Sequence, residues 1–183
     1  MQKDNIDYNT ISVIMITYGH EKFIRQAVEV VLMQKCNFNV ELIIANDASP
    51  DKTSDIVYDI IKTNPNANRI KYINRDKNIG GQNNFKDAFE QCKGKYIAHC
   101  EGDDYWTDPY KLQKQINFLE TNPDYVLTFH KIKILQPNGI LVDDFITKIP
   151  ENYQTIEALA QYGNYIHTPS IVYKNIINEL PFE

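Results

Sequence analysis

Lys95-Tyr96-Ile97-Ala98-His99-Cys100-Glu101-Gly102-Asp103-Asp104-Tyr105-Trp106 is the stretch on which the fold of this chain turns. Its first half is a short apolar run that reads as a buried strand, and its second half is a turn crowded with carboxylates. Glu101, Asp103 and Asp104 repel one another at such a strand end. A divalent cation removes that repulsion, because hard oxygen ligands suit Mg²⁺, Mn²⁺ or Ca²⁺. Cations of this kind in turn hold phosphates. Open α/β sheets take their ligands outside the carboxyl ends of the strands, so the pattern points to a metal–diphosphate site at that edge. A solvated acidic loop is the competing account of the turn taken alone.

The residues upstream repeat the strand-then-helix pattern. Ile11-Ser12-Val13-Ile14-Met15-Ile16 and Val40-Glu41-Leu42-Ile43-Ile44-Ala45 are nearly continuous apolar and β-branched runs, as expected of strands covered on both faces. Helices are expected over Glu21 to Gln34, where Phe23, Ala27, Val30, Val31 and Gln34 recur at helical spacing, and over Thr53 to Lys62. Ile70 to Asn74 is a third strand. Gly80-Gly81 breaks the chain before a helix from Asn83 to Cys92, and Asp108-Pro109 reads as the capped start of another, ending near Glu120. These are four βα units, a parallel sheet joined by right-handed crossovers.

Beyond residue 124 the pattern changes to a small antiparallel annex. Tyr125 to Leu135 reads as a long strand, Pro137-Asn138-Gly139 as a hairpin turn, and Ile140 to Phe145 as the return strand. A short helix over Thr155 to Tyr162 and a strand over Tyr165 to Tyr173 complete the expectation. The chain is read as one domain over 1–183: a polar extension over 1–10, a ligand-binding half over 11–120, and a partial second half over 121–183.

With 183 residues, 43% hydrophobic and 23% charged, the composition is that of an ordinary globular domain. A formal charge of -5 without a Lys/Arg cluster argues against nucleic acid as the partner. Cys36, Cys92 and Cys100 show no zinc spacing. Met1 to Thr10 carries no signal-peptide apolar region, and no apolar run reaches the length of a membrane span. The expectation is a cytoplasmic protein, with peripheral contact at the inner face of a membrane left open.

Two common phosphate-binding devices are missing. Thr17-Tyr18-Gly19-His20 follows the first strand where a dinucleotide fold needs G-x-G-x-x-G, and no G-x-x-x-x-G-K-[ST] occurs. Carboxylates bridging a metal are the alternative way to neutralise a diphosphate. Asp47, just past the second strand, is placed to accept from a base N–H or a ribose hydroxyl; an Asx turn or a cap for the next helix is its plain alternative. Thr17 and Tyr18 end the first strand, and Asn78 and Gly80 form the turn after the third. Ordinary strand-end packing and an ordinary turn are their alternatives. The four signals fall at four consecutive strand ends.

Ile11 through Tyr18, Glu41 through Ser49, Asn78-Ile79-Gly80-Gly81, Gly94-Lys95-Tyr96-Ile97, Glu101 through Trp106 and Pro109 through Leu112 resemble, in order and spacing, the family 2 glycosyltransferases. The resemblance runs from Ile11 to Phe118. It implies the Rossmann-like GT-A fold and an inverting, metal-dependent transfer of sugar from a nucleotide-sugar, a UDP-sugar in the first instance. The acceptor it implies is a glycan or a lipid-linked molecule of bacterial surface polysaccharide synthesis. By the same resemblance Thr17, Tyr18 and Asp47 hold the base, with Asn78 and Gly80 beside them. Glu101 and Asp103 take the first and third positions of the D-x-D motif, Asp103 binding Mn²⁺ or Mg²⁺ and Asp104 adjoining it. Trp106 lies under the sugar or acceptor, or is simply a core tryptophan. Glu101 departs from the family's Asp.

The family's catalytic base is expected after the strand that Tyr165 to Tyr173 resembles, hence beyond Glu183. Glu179 and Glu183 lack its usual context, and Asp143 and Asp144 read as a solvated turn. The expectation is therefore an intact nucleotide-binding half without its base, weak in transfer. Ile176 to Phe182 would pack on further chain or on a second copy. The alternatives are a nucleotidyltransferase, for which the loop after the first strand is a poor match, and a non-catalytic nucleotide- or sugar-binding module. A His/Cys metal site from His99, Cys100 and His130 is disfavoured because adjacent strand residues point to opposite faces.

Overall fold

The computed structural model describes residues 6–145, 151, 155–162 and 165–176. Strands β1 (Asp7–Thr17), β2 (Asn39–Asn46), β3 (Ile70–Asn74) and β4 (Gly94–His99) alternate with helices α1 (Ile24–Leu32), α2 (Thr53–Thr63), α3 (Gly81–Glu90) and α4 (Lys111–Thr121). Short strands β5 (Leu127–Thr128), β6 (Lys133–Leu135) and β7 (Leu141–Asp143), helix α5 (Ile156–Tyr162) and strand β8 (Val172–Lys174) follow. The main sheet has six strands in the order β3-β2-β1-β4-β8-β5. The first four run parallel, while β8 is antiparallel to both β4 and β5.

Strand alternation explains why the sequence reads as solid apolar runs. Ile11, Val13 and Met15 of β1, with Leu42 and Ile44 of β2 and Tyr96 and Ala98 of β4, face a layer built from α1, α2 and α4. Ile14, Ile43, Ala45 and Ile97 face the other way, onto Ala88 and Phe89 of α3. Both faces are covered, so a polar residue would be costly on either one. Each fully buried aliphatic side chain contributes about 1.5–3 kcal/mol. Ser12, the polar exception in β1, donates its hydroxyl hydrogen to Glu41 and accepts from Gly94 N–H.

Several boundaries differ from the sequence expectation for local reasons. β1 starts at Asp7, inside the polar extension, because Asp7 N–H donates to Lys93 O and Thr10 Oγ1 to the Asp7 carboxylate. The α3 helix begins directly at Gly81, and Asp108 caps no helix. Its carboxylate accepts from Tyr110 N–H in a turn that leads into α4 at Lys111. The long strand expected over Tyr125 to Leu135 is broken: Leu127–Thr128 pairs with β8, whereas Lys133–Leu135 pairs with β7 in a separate hairpin. Gly139, at φ +82, turns that hairpin as expected. Much of Tyr165 to Tyr173 is loop and a single 3₁₀ turn over Thr168–Ser170. The antiparallel annex is thus partly an edge of the main sheet. Glu179, Glu183 and the apolar residues from Ile177 to Phe182 lie outside the described residues.

Among the described residues no helix is long and apolar enough to cross a membrane.

Candidate functional site

β1 lies between β2 and β4, and the chain runs outward through β2 and β3 before returning to β4 on the other side. The carboxyl edge between β1 and β4 is therefore a topological switch point, where this class of sheet leaves a crevice. Register sets what lines it. Thr17, Asn46 and Asn74 stand in one row across β1, β2 and β3. Past the end of β4 the pairing with β1 continues, Cys100 N–H donating to Ile14 O and Gly102 N–H to Ile16 O, both at 3.1 Å. This ladder carries the acidic turn alongside Thr17. A Cβ on Gly102 would stand 2.5 Å from Thr17 Oγ1 and 2.7 Å from His20 Nδ1, so only glycine allows that approach.

Asp47 serves neither of its plain alternatives. Asn46 makes the local turn by accepting from Ser49 N–H, and Asp51, not Asp47, accepts from Thr53 N–H at the start of α2. Asp47 instead reaches across to the third strand end. Its Oδ1 accepts from Ile79 N–H at 2.8 Å, and its backbone oxygen accepts from Asn78 Nδ2 at 3.1 Å. Asn78 Oδ1 accepts from Gly80 N–H, and Gly80, at φ +85, delivers the chain into α3. Thr17, Tyr18, Asp47, Asn78 and Gly80 line one cavity of about 310 Å³, together with Glu101 and Asp103.

Asp104 and Trp106 face a neighbouring cavity of about 870 Å³ whose wall Glu101 and Asp103 share. The acidic turn is the partition between the two. One carboxylate oxygen from each of Glu101, Asp103 and Asp104 lies within 4.8 Å of the others. Burial pushes Glu101 up, with Asp104 and Asp103 adding to the effect. Burial first, and Asp103 second, push Asp104 up to about 6. Carboxylates held this way are short of positive charge, and hard oxygen donors at that separation fit a divalent cation.

Trp106 is both a buried residue and part of a cavity wall: it belongs to the buried layer on the α1 side and lines the larger cavity. Its Nε1–H donates to Pro169 O at 2.9 Å, and Lys111 Nζ stands 4.3 Å from its ring centroid. His99 and Cys100 are buried separately, as expected of core residues. The His99 ring stacks between Phe85 and Tyr173, and burial holds it neutral down to about 4.

Five residues of these walls carry no role in the sequence reading. His20 Nδ1 is 3.1 Å from Thr17 Oγ1, and its Nε2 is 3.8 Å from Asp103. It sits in the loop after β1, where no local pattern marks it. Asn84 anchors α3 beneath the smaller cavity. Lys111, with Gln115, falls on the α4 stripe of Leu112, Ile116 and Leu119; polar residues on an apolar stripe are a signal that was there to find. His167 is paired with Asp144 at 2.9 Å, which makes Asp144 a partly buried ion-pair member and not a solvated turn residue. Asp143 is solvated as expected but ends strand β7 and does not stand in a turn, paired there with Lys133.

The model of the family described as Glycosyl transferase family 2 matches residues 12–179. The chain belongs to this family. It is 38% identical over 164 residues to the uncharacterised protein Rv1520 of Mycobacterium tuberculosis strain H37Rv, covering 90% of this chain and 46% of that one. It is 35% identical over 111 residues to WfaP of Escherichia coli, a UDP-Glc:alpha-D-GlcNAc-diphosphoundecaprenol beta-1,3-glucosyltransferase, covering 61% of this chain and 41% of WfaP. Among solved structures, Staphylococcus aureus TarS in complex with UDP-GlcNAc superposes with a TM-score of 0.66 at 22% identity, over 90% of this chain and 45% of that chain. The likeness to TarS bears out the GT-A fold. The chain spans about half the length of these relatives.

Proposed function

We propose that this family 2 chain is the donor-binding part of a glycosyltransferase that takes its sugar from a UDP-sugar. The observation that carries this reading is the convergence of Thr17, Tyr18, Asp47, Asn78 and Gly80 on one cavity whose wall is the acidic turn. Tyr18, half exposed, offers a flat face to a base, and Thr17 and Asp47 offer an oxygen to its polar edge. The WfaP relative, which uses UDP-Glc by its name, supports uracil as that base.

Glu101, Asp103 and Asp104 would hold Mn²⁺ or Mg²⁺, which when bound neutralises a diphosphate and the charge that develops on it as the nucleotide leaves. The first turn of α3, at Gly80 and Gly81, adds a positive dipole end to the same cavity. Trp106 and the larger cavity then receive the sugar and the acceptor. The acids nearest the acceptor side are engaged: Asp108 with Lys114, Asp143 with Lys133 and Asp144 with His167. The group that takes the acceptor proton is assigned to residues beyond the described ones, so purified chain is expected to bind donor better than it transfers sugar.

Calorimetric titration of UDP with and without Mn²⁺, repeated with Asp103→Ala, tests the reading. Binding that requires the cation and is lost in the variant is the expected result. Cation-independent binding would remove the acidic turn from the site, and no binding of any nucleotide would remove the donor reading altogether.

A further inference from the structure

The acidic turn accounts for only one part of the larger cavity. The same wall carries Lys111 and Lys114 of α4, His130 and Lys131 of the segment between β5 and β6, Lys133 of β6, and His167 of the loop before β8. Against Glu101, Asp103, Asp104 and Asp108 on the same wall, the four lysines balance the acids, in a chain whose formal charge is -5. Lys133 and His167 have carboxylate partners in Asp143 and Asp144. Lys111 is different. It is 3% exposed, and its Nζ has no hydrogen-bond partner among the described residues.

The nearby indole of Trp106 attracts the ammonium through its ring face but supplies no charge to balance it. A buried ammonium without a counter-charge is costly, and burial lowers this one to about 7. The cavity that Lys111 lines is where a counter-charge can enter, and the four-carbon stem lets Nζ turn toward it. An anion arriving there gains an unsatisfied donor, with the Lys131 charge on the same wall.

We propose that the larger cavity is an acceptor subsite that selects molecules carrying an oxyanion, phosphate or carboxylate, beside the sugar, with Lys111 as the anchor of that anion. This rests on the glycosyltransferase reading above and adds to it the chemical class of acceptor. Lys131 supplies a second, exposed charge to the same anion.

The chain contains a single tryptophan, so the emission of Trp106 reports directly on this cavity. Glucose 1-phosphate, glucuronate and glucose are titrated into protein saturated with UDP and Mn²⁺, which keeps added anions off the acidic turn. At least one anion should bind about tenfold or more tighter than glucose, as a charge-assisted hydrogen bond implies. Preference for glucose 1-phosphate identifies a phosphate-bearing acceptor, and preference for glucuronate an acidic glycan. In Lys111→Met the anions should fall to within about twofold of glucose, with UDP binding unchanged. In Lys131→Gln the preference should fall by about threefold.

Equal affinity for all three sugars overturns the subsite, as does an undiminished preference in folded Lys111→Met. If Lys111→Met does not fold, an undiminished preference in Lys131→Gln overturns it instead. Failure of UDP to bind is a separate result that removes the donor reading, and the same sugar titrations in EDTA then still decide the anion subsite.

Discussion

Lys111 carries a charge that the folded chain stabilises poorly, and the sign of its effect on stability can be worked out. Its folded pKa, about 7, lies below the ordinary 10.5 because burial disfavours the ammonium. Between those values the unfolded chain holds the extra proton, so stability rises with pH through that window and is lost as pH falls toward 7. Lys111→Met should therefore be more stable than the parent near neutral pH, by on the order of 1–4 kcal/mol, with the gap closing by about pH 10. Urea midpoints at several pH values measure this, and a gap independent of pH would sink it. Gly102 is the opposite case, a position with no room. Gly102→Ala should cost about 1–3 kcal/mol and displace Thr17 or His20, weakening UDP–Mn²⁺ binding by about tenfold or more. A calorimetric titration that matched the parent would show that the turn tolerates the methyl. Residues of this kind were only partly legible. Thr17, Asp47, Asn78 and the acids announce themselves because each sits at a strand end. His20 and Lys111 do not, because their roles come from contacts with elements remote in sequence.

At the scale of elements, α3 is the most exposed to a single change. Ala88 and Phe89, with half-buried Phe85, join it to the apolar layer, and a polar clamp adds to the holding. Buried Asn84 donates from Nδ2 to Ala45 O at 2.8 Å and accepts from Arg75 Nε at 2.9 Å, while Arg75 also pairs with Asp87 at 2.7 Å. Asn84→Ala removes a buried bond to the Ala45 carbonyl and leaves the Arg75 Nε–H without its acceptor, and should lower stability by about 1–3 kcal/mol. Because Gly80, Gly81 and Asn84 line the smaller cavity, nucleotide binding should weaken in the same variant. Denaturation and UDP titration together check the pair, and a loss of stability with unchanged binding would detach α3 from the site. The four βα units could be read from the sequence because strands covered on both faces and helices covered on one carry distinct periods. The break between β5 and β6 could not be. Leu127 and Lys133 share one β-rich run, and nothing local tells that the first half pairs with β8 and the second with β7.

For the whole molecule, the strand order predicts a gradient of stability. β1 is paired on both sides along its length, its central residues fully buried, whereas β5 and β8 touch the sheet through two or three residues at one edge. The β6–β7 hairpin is a separate sheet with Leu135, Ile140 and Leu141 exposed. Backbone amides of Ile11–Met15 and Leu42–Ile44 should exchange only through global unfolding, those of β5 and β8 through smaller openings, and those of the hairpin fastest of all. A ligand seated at the carboxyl edge of β1 and β4 binds only the folded state. UDP with Mn²⁺ at about a hundredfold over its dissociation constant should then add about 2.7 kcal/mol to the protection of the globally exchanging amides. The hairpin, which lines only the neighbouring cavity, should exchange at its former rate. Hydrogen exchange with and without UDP–Mn²⁺ makes that comparison in one experiment. Protection that appeared in the hairpin and not in β1 would place the nucleotide in the larger cavity, and the assignment of the two cavities to donor and acceptor would have to be exchanged.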